Sequence, residues 1–390
     1  MNLTYLDNAA TTFPKPSGVI REVFKCLNTY CGNPGRSSHP PAMEAARKIY
    51  ECRERITDFL GSSHPENVIF TLNATYALNM AIKGMLKRGD HVLISDMEHN
   101  SVLRPLERLK KSGMIEYSIF KTVENGALKS GDEILSSIRK SIIPQKTRML
   151  ICSHMPNICS VILPIDKIGD LCRKKEIVFV LDASQSAGHI PINVQSSNID
   201  ILCAPGHKGL FGIQGSGFML LGENIHPKRL LEGGNGINSL DPSMPELPPE
   251  SLEVGTLPTP SIVGLSEGIS FLSSIGSEEI SFREERMFKL TREALLNSEE
   301  LKAKIYLPNA VGSTLLFNLG NIHSEEIGQH LSKDGICVRS GYHCSALGHR
   351  TLGTQDMGAV RISFSCFNRE SDIDRLMRSL KEFAVISPIE

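Results

Sequence analysis

Several features that would assign this chain of 390 residues to a specialised class are missing from its sequence. The 42 basic residues are balanced by 43 acidic ones, which argues against a protein that coats nucleic acid or a membrane surface, because both need a strong basic excess. Nowhere do about 18 apolar residues follow one another, so no membrane-spanning segment is predicted. Asp7 and Asn8 stand where a signal peptide would be apolar, which favours a cytoplasmic location.

Cysteine pairs at the spacing of metal or redox sites are also missing. No two of the ten cysteines stand at C-x-x-C, so neither a zinc ribbon nor a thioredoxin-like motif is predicted. The 12 histidines add no ligand spacing, and we predict no metal site. Cys152 and Cys203 fall inside apolar runs and are expected to be buried, reduced thiols.

The residues that are present follow the pattern of a soluble globular enzyme, with 41% hydrophobic and 22% charged residues. Short β-branched runs alternate with longer helical stretches, which predicts βαβ units and a mostly parallel, buried sheet. The predicted strands are 67–71, 91–95, 114–119, 147–153, 177–182, 199–203 and 217–221. The predicted helices between them include 42–60, 75–86, 101–111 and 166–174.

The composition changes near residue 241, where six prolines fall within twenty residues. Such a segment cannot be regular helix or inner strand, and its length favours a functional or partner-contacting loop. Helices are predicted at 260–275 and 278–301, followed by a strand, a helix, a strand and a final helix at 370–383. We therefore predict an α/β protein with a large domain at 15–260, which holds a seven-stranded sheet, and a smaller α+β domain at 261–390 that includes residues 1–14.

Lys208 and Asp182 form the strongest chemical pattern in the chain. Lys208 follows a predicted strand and precedes a glycine-rich turn, where small neighbours allow close approach to a ligand. Asp182 ends an apolar strand, and a buried carboxylate there needs a cationic partner such as a pyridinium nitrogen. An imine-forming lysine and such an aspartate are what a pyridoxal phosphate site requires. The alternatives are a surface lysine in a turn and an aspartate that caps the next helix.

Two further strand ends carry polar residues. Thr75 opens a helix after the turn Leu72-Asn73-Ala74, and amides at a helix N-terminus bind phosphate. His99 follows the strand at 91–95 and is placed to stack on a flat ring or to act as an acid–base group. Alone, each has an ordinary alternative, a plain N-cap or a packed histidine. Together the four strand ends predict one cofactor cavity.

Motifs through almost the whole chain carry a family resemblance. In order, they are YLDNAATT, GNPGRSSH, MEHNS, SHMPN, VLDASQSAG, GHK, LEVGTLPTP, RSGYHCSAL and VRISF. With them the chain resembles the class-V aminotransferase group of fold-type I pyridoxal-phosphate enzymes, and within that group the group II cysteine desulfurases. The resemblance implies pyridoxal 5'-phosphate as cofactor, L-cysteine as substrate, L-alanine as product and an enzyme persulfide. It also implies a homodimer and a sulfur acceptor, which is a protein or a thiol.

The resemblance also implies roles for individual residues. Those assigned to the cofactor are Asn73, Ala74, Thr75, His99, Asp182, Gln185, His207, Lys208 and Thr256. Lys208 would be the Schiff-base lysine, His99 would stack on the ring, and Thr256 would reach the phosphate across a dimer interface. Asp182 would face the pyridine nitrogen and Gln185 the ring hydroxyl. The residues assigned to the substrate are Asn157, Arg339 and Arg361, whose planar fork suits a carboxylate.

Cys344 lies in RSGYHCSALGHRTLGT, which aligns with the Arg-x-Gly-His-His-Cys-Ala signature of the group II desulfurases. The resemblance implies that its thiolate attacks the substrate sulfur. Gly341 and Gly348 flank the segment and indicate a mobile loop, while the basic neighbours Arg339 and His343 are expected to favour the thiolate. The alternative is a structural cysteine in a loop.

Some positions depart from the group II pattern, and other activities remain open. Tyr342 and Ser345 replace a His and an Ala of the signature, Pro205 and Ala74 replace hydroxyl residues near the phosphate, and Ser251 stands where an Arg is common. The nearest alternative is a selenocysteine lyase that acts on L-selenocysteine. The others are another class-V transferase or lyase, and a non-catalytic sulfur-relay or scaffold protein.

Overall fold

The computed structural model describes residues 3–35, 38–237, 239–387 and 389. Arg36 and Ser37 of the GNPGRSSH motif lie outside the described residues, as do residues 1, 2, 388 and 390 of the expected C-terminal domain. In chain order the helices and strands are β1 (Thr4–Tyr5), α1 (Ser17–Thr29), α2 (Pro40–Leu60), β2 (Val68–Thr71), α3 (Ala74–Met85), β3 (His91–Ser95), α4 (Asn100–Lys111), β4 (Glu116–Phe120), β5 (Val123–Glu124), β6 (Ala127–Leu128), α5 (Gly131–Ser141), β7 (Thr147–Ser153), α6 (Ile165–Lys174), β8 (Val178–Asp182), β9 (Ile201–Pro205), β10 (Gly217–Leu221), α7 (Thr259–Ile275), α8 (Ser277–Leu296), β11 (Ala303–Ile305), β12 (Thr314–Leu319), α9 (Ser324–Lys333), β13 (Ile336–Cys337), β14 (Arg339–Gly341), α10 (Ala346–Leu352), β15 (Ala359–Ser363) and α11 (Glu370–Ile386).

The large sheet contains seven strands in the order β2-β10-β9-β8-β7-β3-β4. Strands β9, β8, β7, β3 and β4 run parallel, and β10 is antiparallel to both β9 and β2. The predicted α/β class, the mostly parallel sheet and all seven of its strands are confirmed. Because the parallel strands point the same way, the residues that follow β3, β7, β8 and β9 meet at one edge of the sheet.

Each face of the large sheet is covered by its own apolar core, because successive strand residues point to opposite sides. In β3, Leu93 packs with residues of α2, α6 and α7, whereas Val92 and Ile94 pack with residues of α3 and α4. Cys152 lies in the first core and Cys203 in the second, both fully buried as predicted. Burial on both faces explains why these strands read as continuous apolar runs.

The C-terminal part forms a second sheet with the strand order β11-β12-β15-β14, antiparallel throughout. Residues of α8, α9 and α11 complete its core. The N-terminal strand β1 pairs in parallel with β13, with Thr4 opposite Ile336, which supports the proposal that the first residues belong with this domain. The boundary at residue 260 fits less well, because Ile262 and Leu265 of α7 lie in the core of the large sheet.

The contact between the two domains is partly charged and partly aromatic. His189, in the turn after β8, lies 2.6 Å from Glu284 of α8, and both side chains are buried. Phe211, Phe271 and Phe367 pack against one another with ring centroids 5.3 to 5.7 Å apart. Aromatic burial and a desolvated pair of this kind fix the small domain against the segment that carries Lys208.

Some elements depart from the sequence-based expectation. The helix expected over 278–301 ends at Leu296 and gives way to a separate 3₁₀ turn at Glu299–Leu301. Helix α5 was not predicted, although Ser130 and Glu133 form a capping box at its start. The proline-rich segment at 241–258 holds no helix or strand, as predicted. Among the helices of the described part, none is long and apolar enough to cross a membrane.

Candidate active site

One cavity lies at the carboxyl edge of the large sheet, where β3, β7, β8 and β9 end. Its lining residues are Asn73, Ala74, Thr75, His99, Ser101, Ser153, Met155, Asn157, Asp182, Ser184, Gln185, Pro205, His207 and Lys208. Eight of the nine residues expected to hold the cofactor belong to this set. The ninth, Thr256, lies outside it on an exposed segment, where its hydroxyl accepts a hydrogen bond from Asn33 Nδ2 at 3.4 Å.

Lys208 and Asp182 face the cavity from neighbouring strand ends. Asp182 is the last residue of β8 and is 3% exposed, and its Oδ1 accepts the Ser184 amide at 2.9 Å. Burial lowers the pKa of Lys208 to about 8; Asp182 opposes this shift, while the positive charges of Arg361 and Arg339 add to it. The lowered pKa leaves far more of the lysine neutral near pH 7 than its ordinary pKa would, and an amine must be neutral to act as a nucleophile.

The N-terminal segment holds the main chain around Lys208. The carbonyl of His207 accepts the Thr11 hydroxyl at 3.0 Å, the Thr12 hydroxyl at 3.2 Å and Lys15 Nζ at 2.8 Å. The Thr12 hydroxyl also lies 3.0 Å from the carbonyl of Lys208. Burial lowers the pKa of Lys15 to about 8. This support explains the YLDNAATT motif, for which sequence reasoning named no contact.

Helix α3 presents its N-terminus to the cavity. The Asn73 side chain caps it by accepting the Tyr76 amide at 3.1 Å, which leaves the amides of Ala74 and Thr75 without acceptors inside the helix. Gly217 makes this turn possible, because a Cβ at that position would lie 2.7 Å from the Asn73 Cα. Unpaired amides at a helix start are suited to an anionic group such as a phosphate.

His99 is a neutral, oriented imidazole. Its Nδ1 accepts the Ser101 amide at 3.0 Å, so the ring proton lies on Nε2. Ser101 Oγ lies 2.8 Å from His99 Nδ1 and 2.8 Å from Thr75 Oγ1, which links the ring to the start of α3. Burial lowers the pKa of His99 to about 4, and the positive charges of Lys208 and Arg339 add to the shift against the effect of Asp182.

Glu98 lies beneath the cavity and was not predicted from sequence. The carboxyl group is fully buried, and its Oε1 accepts both the Ser95 hydroxyl and, at 2.9 Å, the Ser153 amide. Its Oε2 lies 3.2 Å from the hydroxyl of Ser153, a residue that lines the cavity. Burial raises the pKa of Glu98 to about 8, and the charge of Asp182 adds to the rise. Glu98 is therefore mostly protonated at pH 7, beside an aspartate that sequence reasoning assigns to the cofactor.

Arg361 enters the site from β15 of the small domain and is 1% exposed. Its Nη1 donates to the Asn157 carbonyl at 2.9 Å and its Nη2 to Asp7 Oδ1 at 2.6 Å. Within the described residues, Arg361 Nε and Asn157 Oδ1 are buried without a partner. The Nε–H edge of a fixed guanidinium is thus left for an incoming carboxylate. Sequence reasoning missed the contact between Arg361 and Asp7.

Cys344 is exposed, and its loop is tied to the large domain at two carbonyls. Asn157 Nδ2 donates to the carbonyl of His343 at 2.6 Å, and the amide of Asn100, directly after His99, donates to the carbonyl of Cys344 at 2.9 Å. Arg339 Nη2 lies 3.6 Å from Cys344 Sγ. The two main-chain contacts tie the Cys344 loop to Asn157, which lines the cavity, and to the residue that follows His99.

Two expectations about this loop are corrected by the structure. Gly348 lies inside α10, where a Cβ would meet Ile158 at 2.4 Å, so it serves close packing and not loop mobility. His343 is buried, and burial together with the neighbouring Arg361 holds its pKa well below the ordinary range. A neutral ring supplies no positive charge to the thiol, which leaves Arg339 as the basic neighbour in contact with Cys344.

The strand order and the lysine and aspartate at its carboxyl edge define the architecture of a fold-type I pyridoxal-phosphate enzyme. The chain belongs to the class-V aminotransferase family, whose family model matches residues 4–376. The predicted family resemblance is therefore confirmed.

Named relatives are similar to the chain over nearly its full length. It is 29% identical to a probable cysteine desulfurase of Methanothermobacter thermautotrophicus, covering 97% of this chain and 94% of the relative. It is 31% identical to a probable cysteine desulfurase of Streptomyces coelicolor, covering 97% and 91%. Among solved structures, the apo cysteine desulfurase from Thermococcus onnurineus NA1 superposes with a TM-score of 0.87 at 28% identity, covering 98% of this chain and 94% of that one.

Proposed function

We propose that this protein is a pyridoxal-phosphate-dependent cysteine desulfurase, which converts L-cysteine to L-alanine and transfers the sulfur to Cys344. The observation that carries the proposal is the hydrogen bond from the Asn100 amide to the Cys344 carbonyl. It ties the main chain of an exposed cysteine to the residue that follows His99, which lines the same cavity as Lys208 and Asp182. Membership in the class-V aminotransferase family and the names of its relatives support the same activity.

The cavity fits pyridoxal phosphate by the chemistry of its side chains. Lys208 would hold the aldehyde carbon, Asp182 would keep the ring nitrogen protonated, and His99 would lie against the ring. The unpaired amides of Ala74 and Thr75 at the start of α3 would hold the phosphate. Bound there, the cofactor supplies an electron sink for the α-carbon of an amino-acid substrate.

The substrate groups have matching positions in the chain. The free Nε edge of Arg361 would bind the carboxylate, and the unpaired Asn157 Oδ1 would accept an N–H of the substrate amine. Lys208 Nζ, with its lowered pKa, would take the α-proton. His99, neutral with its proton on Nε2, is the group assigned to proton return.

The thiol of Cys344 then accepts the sulfur. The Cys344 thiolate attacks the substrate Sγ, so a new S–S bond forms while the substrate Cβ–Sγ bond breaks. The electron pair of the broken bond goes to Cβ, which takes up a proton. L-cysteine and the thiol therefore become L-alanine and a persulfide with no external oxidant.

The proposal is tested on purified holoenzyme supplied with L-cysteine or L-selenocysteine and a reducing thiol. Parent protein should release alanine and sulfide in equal amounts. Cys344→Ser should keep the visible absorbance of the bound cofactor and lose sulfide release, whereas Cys31→Ser, at the other exposed cysteine, should behave like the parent. Sulfide release by Cys344→Ser at the parent rate would contradict the role of the thiol. Turnover of selenocysteine alone would favour the lyase, and products other than alanine another class-V activity.

A homodimer is proposed on the evidence of an apolar surface. Ile20, Phe24 and Leu27 of α1 are 60 to 69% exposed and share one helix face. An ion pair between Lys48 and Glu22 joins α2 to α1, and Met43 and Tyr50 of α2 are also exposed. A surface of this kind indicates a protein contact, and a second copy of the chain would also bring Thr256 to a neighbouring site. Light scattering should give twice the 42.9 kDa chain mass, and Phe24→Lys should lower it.

A further inference from the structure

A chain of buried hydrogen bonds runs behind the Cys344 loop. His343 Nε2 lies 3.1 Å from the carbonyl of Arg339, and His343 Nδ1 lies 3.1 Å from His349 Nε2. His349 Nδ1 lies 2.6 Å from the hydroxyl of Thr354. The two rings are nearly parallel at 13°, and His349 is 1% exposed. None of these contacts touches the cavity, so the function proposed above does not account for them.

The partners fix the direction of every bond in this chain. A carbonyl only accepts, so His343 Nε2 carries the proton and its Nδ1 must accept from His349 Nε2. His349 Nδ1 then accepts the hydroxyl proton of Thr354. Both rings are neutral, since burial lowers both pKa values, and Arg361 and Arg339 lower that of His343 further. Replacement of His349 by an apolar ring would leave His343 Nδ1 buried without a donor.

This series of hydrogen bonds supports a backbone conformation that is otherwise unfavourable. His343 has a φ of 51° and Cys344 a φ of 56°, left-handed values that cost roughly 1–3 kcal/mol each for residues other than glycine. Such a conformation persists only where surrounding contacts hold it. The ring of His343 is bonded to the Arg339 carbonyl, while the guanidinium of the same arginine lies 3.6 Å from Cys344 Sγ.

We propose that His349 is a positioning residue for the Cys344 thiol, because its hydrogen bond to His343 holds the left-handed turn at His343 and Cys344 that brings the sulfur beside the Arg339 guanidinium. The proposal rests on the proposed function only in taking Cys344 as the reacting thiol. His349 touches neither Cys344 Sγ nor a residue of the cofactor cavity. Its effect should therefore appear in the reactivity of the thiol and not in cofactor binding.

The test measures the rate at which iodoacetamide alkylates Cys344 in the holoenzyme at pH 7, with the modified peptide quantified by mass spectrometry. All variants carry Cys31→Ser, which removes the other exposed thiol. His349→Phe keeps a ring that can stack on His343 but donates no hydrogen bond. His349→Gln keeps an N–H near the position of Nε2. His226→Phe, at an exposed histidine, is the matched control.

His349→Phe should lower the rate of Cys344 alkylation at pH 7 about threefold, because the sulfur is no longer held beside a guanidinium that stabilises a thiolate. His349→Gln and His226→Phe should stay within about twofold of the parent. An unchanged rate in His349→Phe, or an equal fall in His349→Gln, would overturn the proposal.

A second variant covers the case in which His349→Phe fails to fold, which would be seen as a loss of the visible cofactor absorbance. Thr354→Val removes only the hydroxyl that fixes the His349 tautomer, and it should lower the alkylation rate by a smaller factor than His349→Phe. An unchanged rate there would also contradict the proposal. Alkylation consumes no L-cysteine, so a failure of the alanine and sulfide assay and a failure of this inference are seen separately.

Discussion

Replacement of Glu98 by glutamine tests whether a neutral carboxyl group lies beneath the cavity. Oε1 already accepts two donors, the Ser95 hydroxyl and the Ser153 amide, so the proton of a neutral Glu98 would lie on Oε2 and point to the Ser153 hydroxyl. A glutamine side chain reproduces this arrangement, with its carbonyl in place of Oε1 and its NH₂ in place of Oε2. Glu98→Gln should therefore fold and keep the visible cofactor absorbance.

The change of protein stability with pH follows from the raised pKa of Glu98. This pKa is about 8 in the folded protein, against an ordinary value of 4.5. Between these values the folded state keeps a proton that the unfolded chain has lost, so the stability contributed by Glu98 is full below pH 4.5 and is lost as the pH rises toward 8. At about 1.4 kcal/mol per pH unit, and with half of the folded molecules already deprotonated at pH 8, the free energy of unfolding should fall by about 2 kcal/mol between pH 6 and pH 8.

Urea unfolding of parent and Glu98→Gln at several pH values between 5 and 9 gives the necessary comparison. Other titrating groups act equally in both proteins, so the difference between the two curves isolates Glu98. The free energy of unfolding of the variant should rise relative to that of the parent as the pH rises, with most of this change between pH 6 and pH 8. Glu54→Gln, at an exposed glutamate, should show no such trend. A parent-to-variant difference that stays constant over this range would refute a protonated Glu98.

Three further substitutions have defined outcomes. Arg361→Lys keeps the charge but loses the planar guanidinium that is hydrogen-bonded to Asp7. Steady-state kinetics should show a KM for L-cysteine that is roughly 10- to 100-fold higher, a loss of about 1.5–3 kcal/mol of binding free energy, while the visible absorbance of the cofactor stays unchanged. Lys208→Ala should abolish both turnover and the visible absorbance of the cofactor. An unchanged spectrum would show that Lys208 does not hold the cofactor. Glu284→Ala leaves the buried His189 unpaired and should lower the free energy of unfolding by about 3–5 kcal/mol in urea, whereas a change below 1 kcal/mol would show that the pair contributes little.

The large sheet could be predicted from sequence because its strands are buried on both faces. Strands such as β3 and β8 are buried throughout and apolar except at their ends, and only a covered parallel sheet accommodates them. The short strands β1 and β13 could not be predicted, since two residues each give no periodicity. Helix α5 could have been found, because the capping box of Ser130 and Glu133 is visible in the sequence.

The candidate site was predictable where it depends on strand ends and not where it depends on distant contacts. Lys208 and Asp182 each follow a recognisable strand, so their meeting at one sheet edge could be inferred. Asp7 pairs with Arg361 across 354 positions, a distance over which local patterns carry no information. His343 was misjudged because the charge of a histidine depends on its burial, which the sequence does not show.

The pairing of β1 with β13 has a consequence for the order in which the protein assembles during synthesis. The residues of β1 leave the ribosome more than three hundred residues before their partners Ile336 and Cys337. Arg361, the partner of Asp7, emerges later still. The segment around β1 must therefore stay without its final partners while the large sheet is synthesised, and the binding pocket can close only after Arg361 has emerged.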